Sequence, residues 1–214
     1  MRPPEVLETD RLRLRVPTLE DAPEIFLQYA QDPEVTKYLT WRPHQSIETA
    51  LEFTRHQTEE WQNQEGAVFP WVITLKDDDC LLGMIRLHLE GHRADLGYVL
   101  ARRHWNRGFA TEAVRLLVDW SLAQTDIFRV WAVCDAENAA SARVLEKAGM
   151  TREGLLRRWL VLPNLGDAPR DHWCYAKVKV GSLLVAEGLD RVEPGSTVGG
   201  IDPEDRADQA GEPE

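Results

Sequence analysis

The chain has 214 residues, a formal net charge of −11 at pH 7, 43% hydrophobic residues and 29% charged residues. This length suits one domain with a tail better than two enzyme domains, and the composition is that of a soluble globular chain. No apolar run approaches the roughly 20 residues that span a bilayer. Met1–Asp10 lacks the apolar core of a secretory signal. The scattered cysteines Cys80, Cys134 and Cys174 make neither a disulfide framework nor a C-x-x-C zinc spacing, so the expected location is a reducing cytoplasm.

The charge is unevenly spread. From Glu187 onward nine acids meet two arginines, a net of −7, which leaves −4 for the rest. A mildly acidic body does not attract polyanions over its whole surface, so neither nucleic acid nor a membrane is an expected partner. Gly188, Pro194, Gly195, Gly199, Gly200, Pro203, Gly211 and Pro213 punctuate the same stretch. The expected division is a domain over 1–180 and an acidic extension over 181–214. The extension is expected to be flexible from about 194, because such text buries too little to offset its ordering entropy.

In chain order, Arg11–Val16 alternates arginine with apolar residues and reads as a half-buried strand. Thr18 and Asp21 open a helix carrying Ile25, Phe26, Tyr29 and Ala30 on one side; Ser46 opens a second that runs to about Gln64, before Gly66. Phe69–Lys76 and Leu81–Glu90 are strands joined by the polar turn Asp77–Asp79, and Arg93–Leu100 is a third. Thr111–Gln124 is a helix with Ala113, Leu117 and Trp120 at helical spacing. Phe128–Cys134 is an apolar strand, Asn138–Ala148 is a helix closed by Gly149, and Leu155–Leu162 and His172–Val180 are late strands. Antiparallel strands followed by a strand–helix–strand–helix passage give a mixed α/β (α+β) class. Trp71, Trp120 and Trp131 lie on apolar patterns and are expected in the core. Trp41, Trp61 and Trp159 have polar neighbours and either line a groove or are partly buried.

Two strand-to-helix corners carry the candidate chemistry. The stretch Tyr98 to Ala113 passes from a strand through a loop bearing Arg102, Arg103 and Arg107 into a helix. A helix N-terminus leaves backbone N–H groups unpaired, and together with the helix dipole they attract phosphate. Gly108 lets a ligand approach the backbone, and Ala110 keeps the next position small. A plain turn with solvated arginines reads as easily from this stretch alone. In the second corner Asn138 is a good N-cap, and Ser141 lies one turn in on the same side. A cap and a neutral helical serine account for that pair, as do two side chains projecting into a cleft.

Six motifs follow one another along the chain. They are a Glu-Thr-x-Arg-Leu-x-Leu-Arg strand (Glu8–Arg15), a Gly-x-Ile-x-Leu strand (Gly83–Leu87) and an acidic-apolar-Gly-Tyr strand (Asp95–Tyr98). Then come the run Trp105–Ala113, an Asn-x-x-Ser helix (Asn138–Met150) and a late Asp-x-x-x-Tyr strand (Asp171, Tyr175). In that order, from about Leu7 to Lys179, they resemble the GNAT superfamily of N-acetyltransferases and, within it, the RimJ/RimL-like branch. The superfamily's Q/R-x-x-G-x-G/A pattern has Trp105 in its first position here.

The resemblance implies the acyl-CoA N-acyltransferase (GNAT) fold: a central mixed, mostly antiparallel, twisted sheet flanked by helices. It implies acetyl-CoA as co-substrate, no metal, and direct transfer to an amine in a ternary complex. Asn106, Arg107, Gly108, Phe109, Ala110 and Thr111, with Arg102 and Arg103, would cradle the pyrophosphate. The pantetheine arm would lie along Tyr98, Val99 and Leu100, where a bulge splays two strands. An N–H near Val99 or Leu100 would then polarise the thioester carbonyl. Asn138 would hold the arm, and Ser141 would protonate the departing thiolate. The amine must lose a proton before it attacks; Asp95, Glu90 and His88 are the candidate bases, and a water relay is the alternative. The acceptor stays open between a protein N-terminal amine, as of a ribosomal protein, and a small amine such as a polyamine, antibiotic or amino acid. A non-catalytic acyl-CoA-binding role also stays open. The expected assembly is a monomer or homodimer.

Overall fold

The computed structural model describes residues 2–63 and 65–180; the acidic extension expected over 181–214, with its flexible part from about 194, lies outside the described residues. Eight strands form one sheet in the order β1-β2-β3-β4-β5-β6-β8-β7. They are β1 (Val6–Glu8), β2 (Leu12–Arg15), β3 (Val68–Leu75), β4 (Leu81–Glu90), β5 (Arg93–Leu100), β6 (Arg129–Asp135), β7 (Thr151–Val161) and β8 (Pro169–Val178). Neighbours are antiparallel except β5 and β6, which are parallel. The longer helices are α3 (Ile47–Gln62), α4 (Phe109–Ala123) and α5 (Ala139–Lys147); short turns α1 (Ala22–Ile25) and α2 (Pro33–Thr36) precede them.

The sheet is a middle layer because alternate residues of its central strands enter different clusters. Trp71 and Ile73 of β3, with Ile85 and Leu87 of β4, join Phe109, Ala113 and Leu117 of α4 and Leu145 of α5. Val72 and Met84, one residue out of phase, join Ile25, Tyr29, Ala30 and Val35 from the first helical turns. The expectation of a single helix after Thr18 is corrected. A 3-10 turn, α1, a π-helical turn (Phe26–Ala30) and α2 follow one another, because Pro33 cannot continue a helix. Trp61 is also corrected: it is 3% exposed and packs edge-on against Phe69 and Trp71, so it belongs to the core.

The sheet opens in its middle. β5 and β6 pair over Arg93↔Arg129 to Asp95↔Trp131, and no pairing is described between them beyond that point. Past it, β5 stays with β4 as far as Gly83↔Leu100, while β6 stays with β8 as far as Asp135↔His172. Two twisted half-sheets that follow different partners diverge. The bulge expected near Val99 does not appear: β4 and β5 pair without a break, and the nearest register shift lies between β3 and β4, where Ile73 pairs with Gly83 and Thr74 with Leu81, leaving Leu82 of β4 as the extra residue. Gly83 has another reason to be glycine. A Cβ there would fall 2.1 Å from the Val99 carbonyl oxygen, so only a bare backbone lets β4 lie against the end of β5.

Candidate active site

The opening is flanked by two corners, each made where a parallel strand ends and a helix begins. β5 ends at Leu100; a 3-10 turn (Arg102–His104) and Trp105 follow, and α4 starts at Phe109. The helix thus begins two residues before the expected Thr111. Its N-cap is Gly108, which stands in the left-handed region (φ 81°) and provides no side-chain cap. Asn106 is left-handed too (φ 59°). Glu112 N donates to the Gly108 carbonyl at 3.0 Å, so the N–H groups of Phe109, Ala110 and Thr111 precede the first helical bond. Two left-handed residues ahead of a helix start curl the backbone into a concavity of the kind whose N–H groups can hold an anion.

The three arginines expected there divide their work. Arg102 pairs with Asp32 at 3.1 Å. Arg103 donates to His104 Nε2 at 2.8 Å and to Cys80 Sγ at 3.4 Å. Arg107 lies over the Phe109 ring, 5.1 Å from its centroid, and is the arginine that stays beside the N-terminus of α4. Burial, and then the charges of Arg103 and Arg107, push the His104 pKa down, so the ring is neutral at pH 7.

The second corner is closed. Asn138 caps α5 by accepting the Ser141 N–H on its Oδ1 at 3.0 Å, so the acceptor end of its amide is engaged in the helix. Ser141 Oγ is 2.8 Å from the Tyr98 hydroxyl, which reaches across from β5. Burial drives the Tyr98 pKa well up, so it stays a neutral donor. Burial also pushes the Cys134 thiol up to about 11. Ser141, Tyr98 and Cys134 therefore form a protonated group beside the opening.

Asp95 stands on the other face of the sheet, in the last pair before β5 and β6 part. Its Oδ2 is 2.7 Å from His88 Nδ1, and Arg86 approaches its Oδ1 at 3.3 Å. Glu90, two residues beyond His88 on the same strand, pairs with Arg93 at 2.8 Å. The His88–Asp95 pair was present in the sequence as register. A two-residue turn, Gly91-His92, puts Glu90 opposite Arg93 and hence His88 opposite Asp95.

Two features had no local signal. Asn164, in the β7–β8 turn, donates to the carbonyls of Thr36 and Trp41 at 2.7 and 2.8 Å, latching that hairpin to the α2–α3 segment. Arg11 and Thr9 both bond Glu112 in the first turn of α4. A cavity of about 840 Å³ adjoins the β6–α5 corner, lined by Ala136, Glu137, Arg157, Arg158, Arg170 and Asp171 among others. Its wall is built on Asp135, which is buried and held by Arg170 at 2.6 Å. Burial is the largest single influence on the Asp135 pKa and raises it, but the Arg170 hydrogen bond, the Glu137 N–H bond and the charges of Arg170 and His172 together outweigh it and hold it low. Arg158, at the cavity edge, is left-handed (φ 48°), with its N–H held by Asp171 Oδ1 at 2.9 Å. Among the described residues no group of three or more His, Cys, Asp or Glu could hold a metal, and no helix is long and apolar enough to cross a membrane.

Residues 11–151 match the acetyltransferase (GNAT) domain family. The chain is 35% identical over 177 residues to the uncharacterized N-acetyltransferase YoaA of Bacillus subtilis, covering 81% of this chain and 97% of that one. Two solved structures share the fold. The Microcin C7 self-immunity acetyltransferase MccE, in complex with acetyl-CoA and AMP, superposes with a TM-score of 0.72 at 23% identity, covering 82% and 97% of the two chains. The ribosomal-protein-S5-alanine acetyltransferase of Vibrio fischeri superposes with a TM-score of 0.68 at 21% identity, covering 81% and 96%. An open parallel pair beside a left-handed, uncapped helix start suits a long thioester whose pantetheine arm is followed by a pyrophosphate. With the family match, this makes the chain a member of the GNAT acetyltransferases, an N-acetyltransferase that uses acetyl-CoA.

Proposed function

We propose that the protein acetylates an N-terminal amine of a protein, with the two corners and the His88–Asp95 pair as its working parts. The observation that carries this is the parting of β5 from β6 immediately after Asp95↔Trp131, between a hydroxyl pair on one face and a histidine–carboxylate pair on the other. The freed edge of β5, Tyr98 to Leu100, offers backbone groups to the pantetheine amides, and an N–H at Val99 or Leu100 takes the developing oxyanion. The pyrophosphate lies on the N–H groups from Asn106 to Thr111, with Arg107 beside them.

The proton steps follow from the same geometry. Asp95 accepts the Nδ1–H of His88, which leaves Nε2 free to take a proton from the incoming ammonium. The amine nitrogen attacks the thioester carbon, and the C–S bond breaks as the C–N bond stays. The thiolate takes the Ser141 hydroxyl proton, Ser141 is reprotonated by the second proton that the amine nitrogen sheds as the amide forms, and the Tyr98 hydroxyl holds the Ser141 oxygen in place at 2.8 Å. Asn138 supports this indirectly, by fixing the turn that presents Ser141, and its free amide nitrogen is the group that would meet pantetheine.

Support for a peptide acceptor comes from the cavity of about 840 Å³ at the β6–α5 corner, which has room for several residues. The like-folded Vibrio fischeri enzyme is named for a ribosomal-protein alanine. The test is acetyl transfer followed by mass spectrometry, with CoA release read in the same wells. The panel holds peptides starting with Ala, Ser or Met, spermidine, aminoglycosides and free amino acids. A peptide gaining one acetyl group at its N-terminus is the expected result. Transfer to small amines alone would overturn the acceptor. Ser141→Ala should lower kcat by about tenfold to a hundredfold while acetyl-CoA still binds; an unchanged kcat would remove Ser141 from the mechanism.

A further inference from the structure

Glu112 is a puzzle for a phosphate site. It lies in the first turn of α4, where a carboxylate adds negative charge beside the N–H groups that should attract an anion. It is not left bare. Arg11 Nε donates to Glu112 Oε2 at 2.8 Å, Arg11 Nη2 bonds the same oxygen, and Thr9 Oγ1 donates to Oε1. Burial raises the Glu112 pKa, but the bonds from Thr9 and Arg11 outweigh it, so the group is an ionised, neutralised partner.

The third bond from Arg11 reaches the ligand loop itself. Its Nη1 donates to the Arg107 carbonyl at 3.2 Å, and its guanidinium lies over the Phe109 ring, 4.6 Å from the centroid. In a trans peptide the C=O and the following N–H point in opposite directions, and no cis peptide occurs among the described residues. A carbonyl of Arg107 held toward Arg11 therefore turns the Gly108 N–H away from it, outward into the concavity. A Cβ at Gly108 would stand 3.5 Å from Arg11 Nη2, so the guanidinium fills the inner side of this loop.

Resting on the acetyl-CoA reading of the β5–α4 corner, we propose that Arg11, itself seated by Glu112 and Thr9, is a positioning residue for pyrophosphate binding. It turns the Arg107–Gly108 peptide so that its N–H faces the ligand, and it cancels the one acidic charge in the first turn of α4. Arg11 touches no reacting atom. It acts from the bend immediately before β2, about 100 positions away in sequence, through a loop it does not belong to.

The test uses the full chain and two acetyl donors: acetyl-CoA, and S-acetylpantetheine, which lacks the pyrophosphate. Arg11→Met should weaken acetyl-CoA binding, measured by calorimetry, about tenfold or more. Turnover with S-acetylpantetheine should stay within about twofold, since the altered N–H groups meet no phosphate there. Arg11→Met combined with Glu112→Gln should recover part of the loss, the part due to the bare carboxylate, and remain weaker than the parent. A folded Arg11→Met protein that binds acetyl-CoA like the parent would overturn the inference. So would equal losses with both donors, which would mark a general defect of the fold. If the parent bound acetyl-CoA no better than S-acetylpantetheine, the phosphate reading of the corner would fall, and this inference with it.

Discussion

The two strand-to-helix corners that flank the opening solve the same local problem in opposite ways. β5 and β6 run parallel and side by side, and each hands over to a helix at its C-terminal end. At α5 the N-cap is Asn138, whose side chain satisfies the Ser141 N–H. At α4 the N-cap is Gly108, left-handed and without a side chain, so the first N–H groups stay available. A capped helix start is stable on its own and has less to offer a ligand; an uncapped one is incomplete until an anion arrives. On the proposed function, this single difference in residue type separates the corner that takes the pyrophosphate from the corner that presents Ser141.

The sharpest way to break this comparison is to block the open corner. Gly108→Val places a β-branched residue at φ 81° beside Arg11, a backbone state that such residues adopt at a cost of about 1–3 kcal/mol. Acetyl-CoA affinity by calorimetry is expected to fall about a hundredfold, since the loop must change shape and its N–H groups turn with it. Affinity within a few fold of the parent would mean that the N–H groups of this corner do not hold the pyrophosphate. A gentler variant converts one corner into the other. Asn tolerates the left-handed state, so Gly108→Asn keeps the turn and adds an oxygen that can cap the first turn of α4. It should raise or preserve thermal stability while weakening acetyl-CoA about tenfold, because the side chain competes with phosphate for the same donors. A loss of both stability and affinity would contradict the competition.

Much of this was written in local pattern. The alternation of Leu81–Glu90 and Arg93–Leu100 marks β4 and β5 to the residue, and Ser46 caps α3 as its position suggests. α4 begins two residues ahead of the expected Thr111, because a glycine in the left-handed region at 108 opens the helix and no side-chain signal announces it. β1 has three residues, too few for a period to show. Trp61 has polar neighbours in the sequence, Glu59, Glu60 and Gln62. Of these, Glu59 and Gln62 lie on the exposed side of an amphipathic helix, while the indole faces Phe69 and Trp71. The site divides in the same way. His88 and Asp95 meet because of a two-residue turn, which is legible. Arg11 meets Glu112, and Asn164 meets Thr36, only through the closing of the whole sheet, which no window along the chain reports.

The closed corner should behave as a matter of stability first. Asn138→Ala removes the bond to the Ser141 N–H and should cost about 1 kcal/mol in chemical denaturation. Its effect on turnover should act through Ser141: kcat falls, whereas acetyl-CoA affinity changes less than for Gly108→Val. A variant that lost acetyl-CoA binding outright would move Asn138 from cap to principal ligand contact.

The smallest expected effect is one of pH, and it again separates the corners. His104 sits under the open one, 6% exposed, with its Nδ1 buried and unpartnered among the described residues and its Nε2 accepting from Arg103. Burial and the two neighbouring arginines lower its pKa. His44, buried against Trp41 and Phe53, is lowered by burial alone. A histidine with a depressed folded pKa stays neutral while the unfolded chain takes up a proton near pH 6.5. The unfolded state then binds more protons, and stability falls as pH drops below that value. Each ring contributes up to about 1 kcal/mol of loss by pH 5.5. Denaturant midpoints at pH 7.5 and 5.5 should therefore differ, and His104→Phe, which cannot titrate, should narrow the gap by the share that His104 carries. His44→Phe should narrow it independently, because the two rings belong to different parts of the fold and share no partner. A gap that neither substitution changes would mean that both rings take up protons in place, and that the arginines around the open corner do not bias His104 against charge.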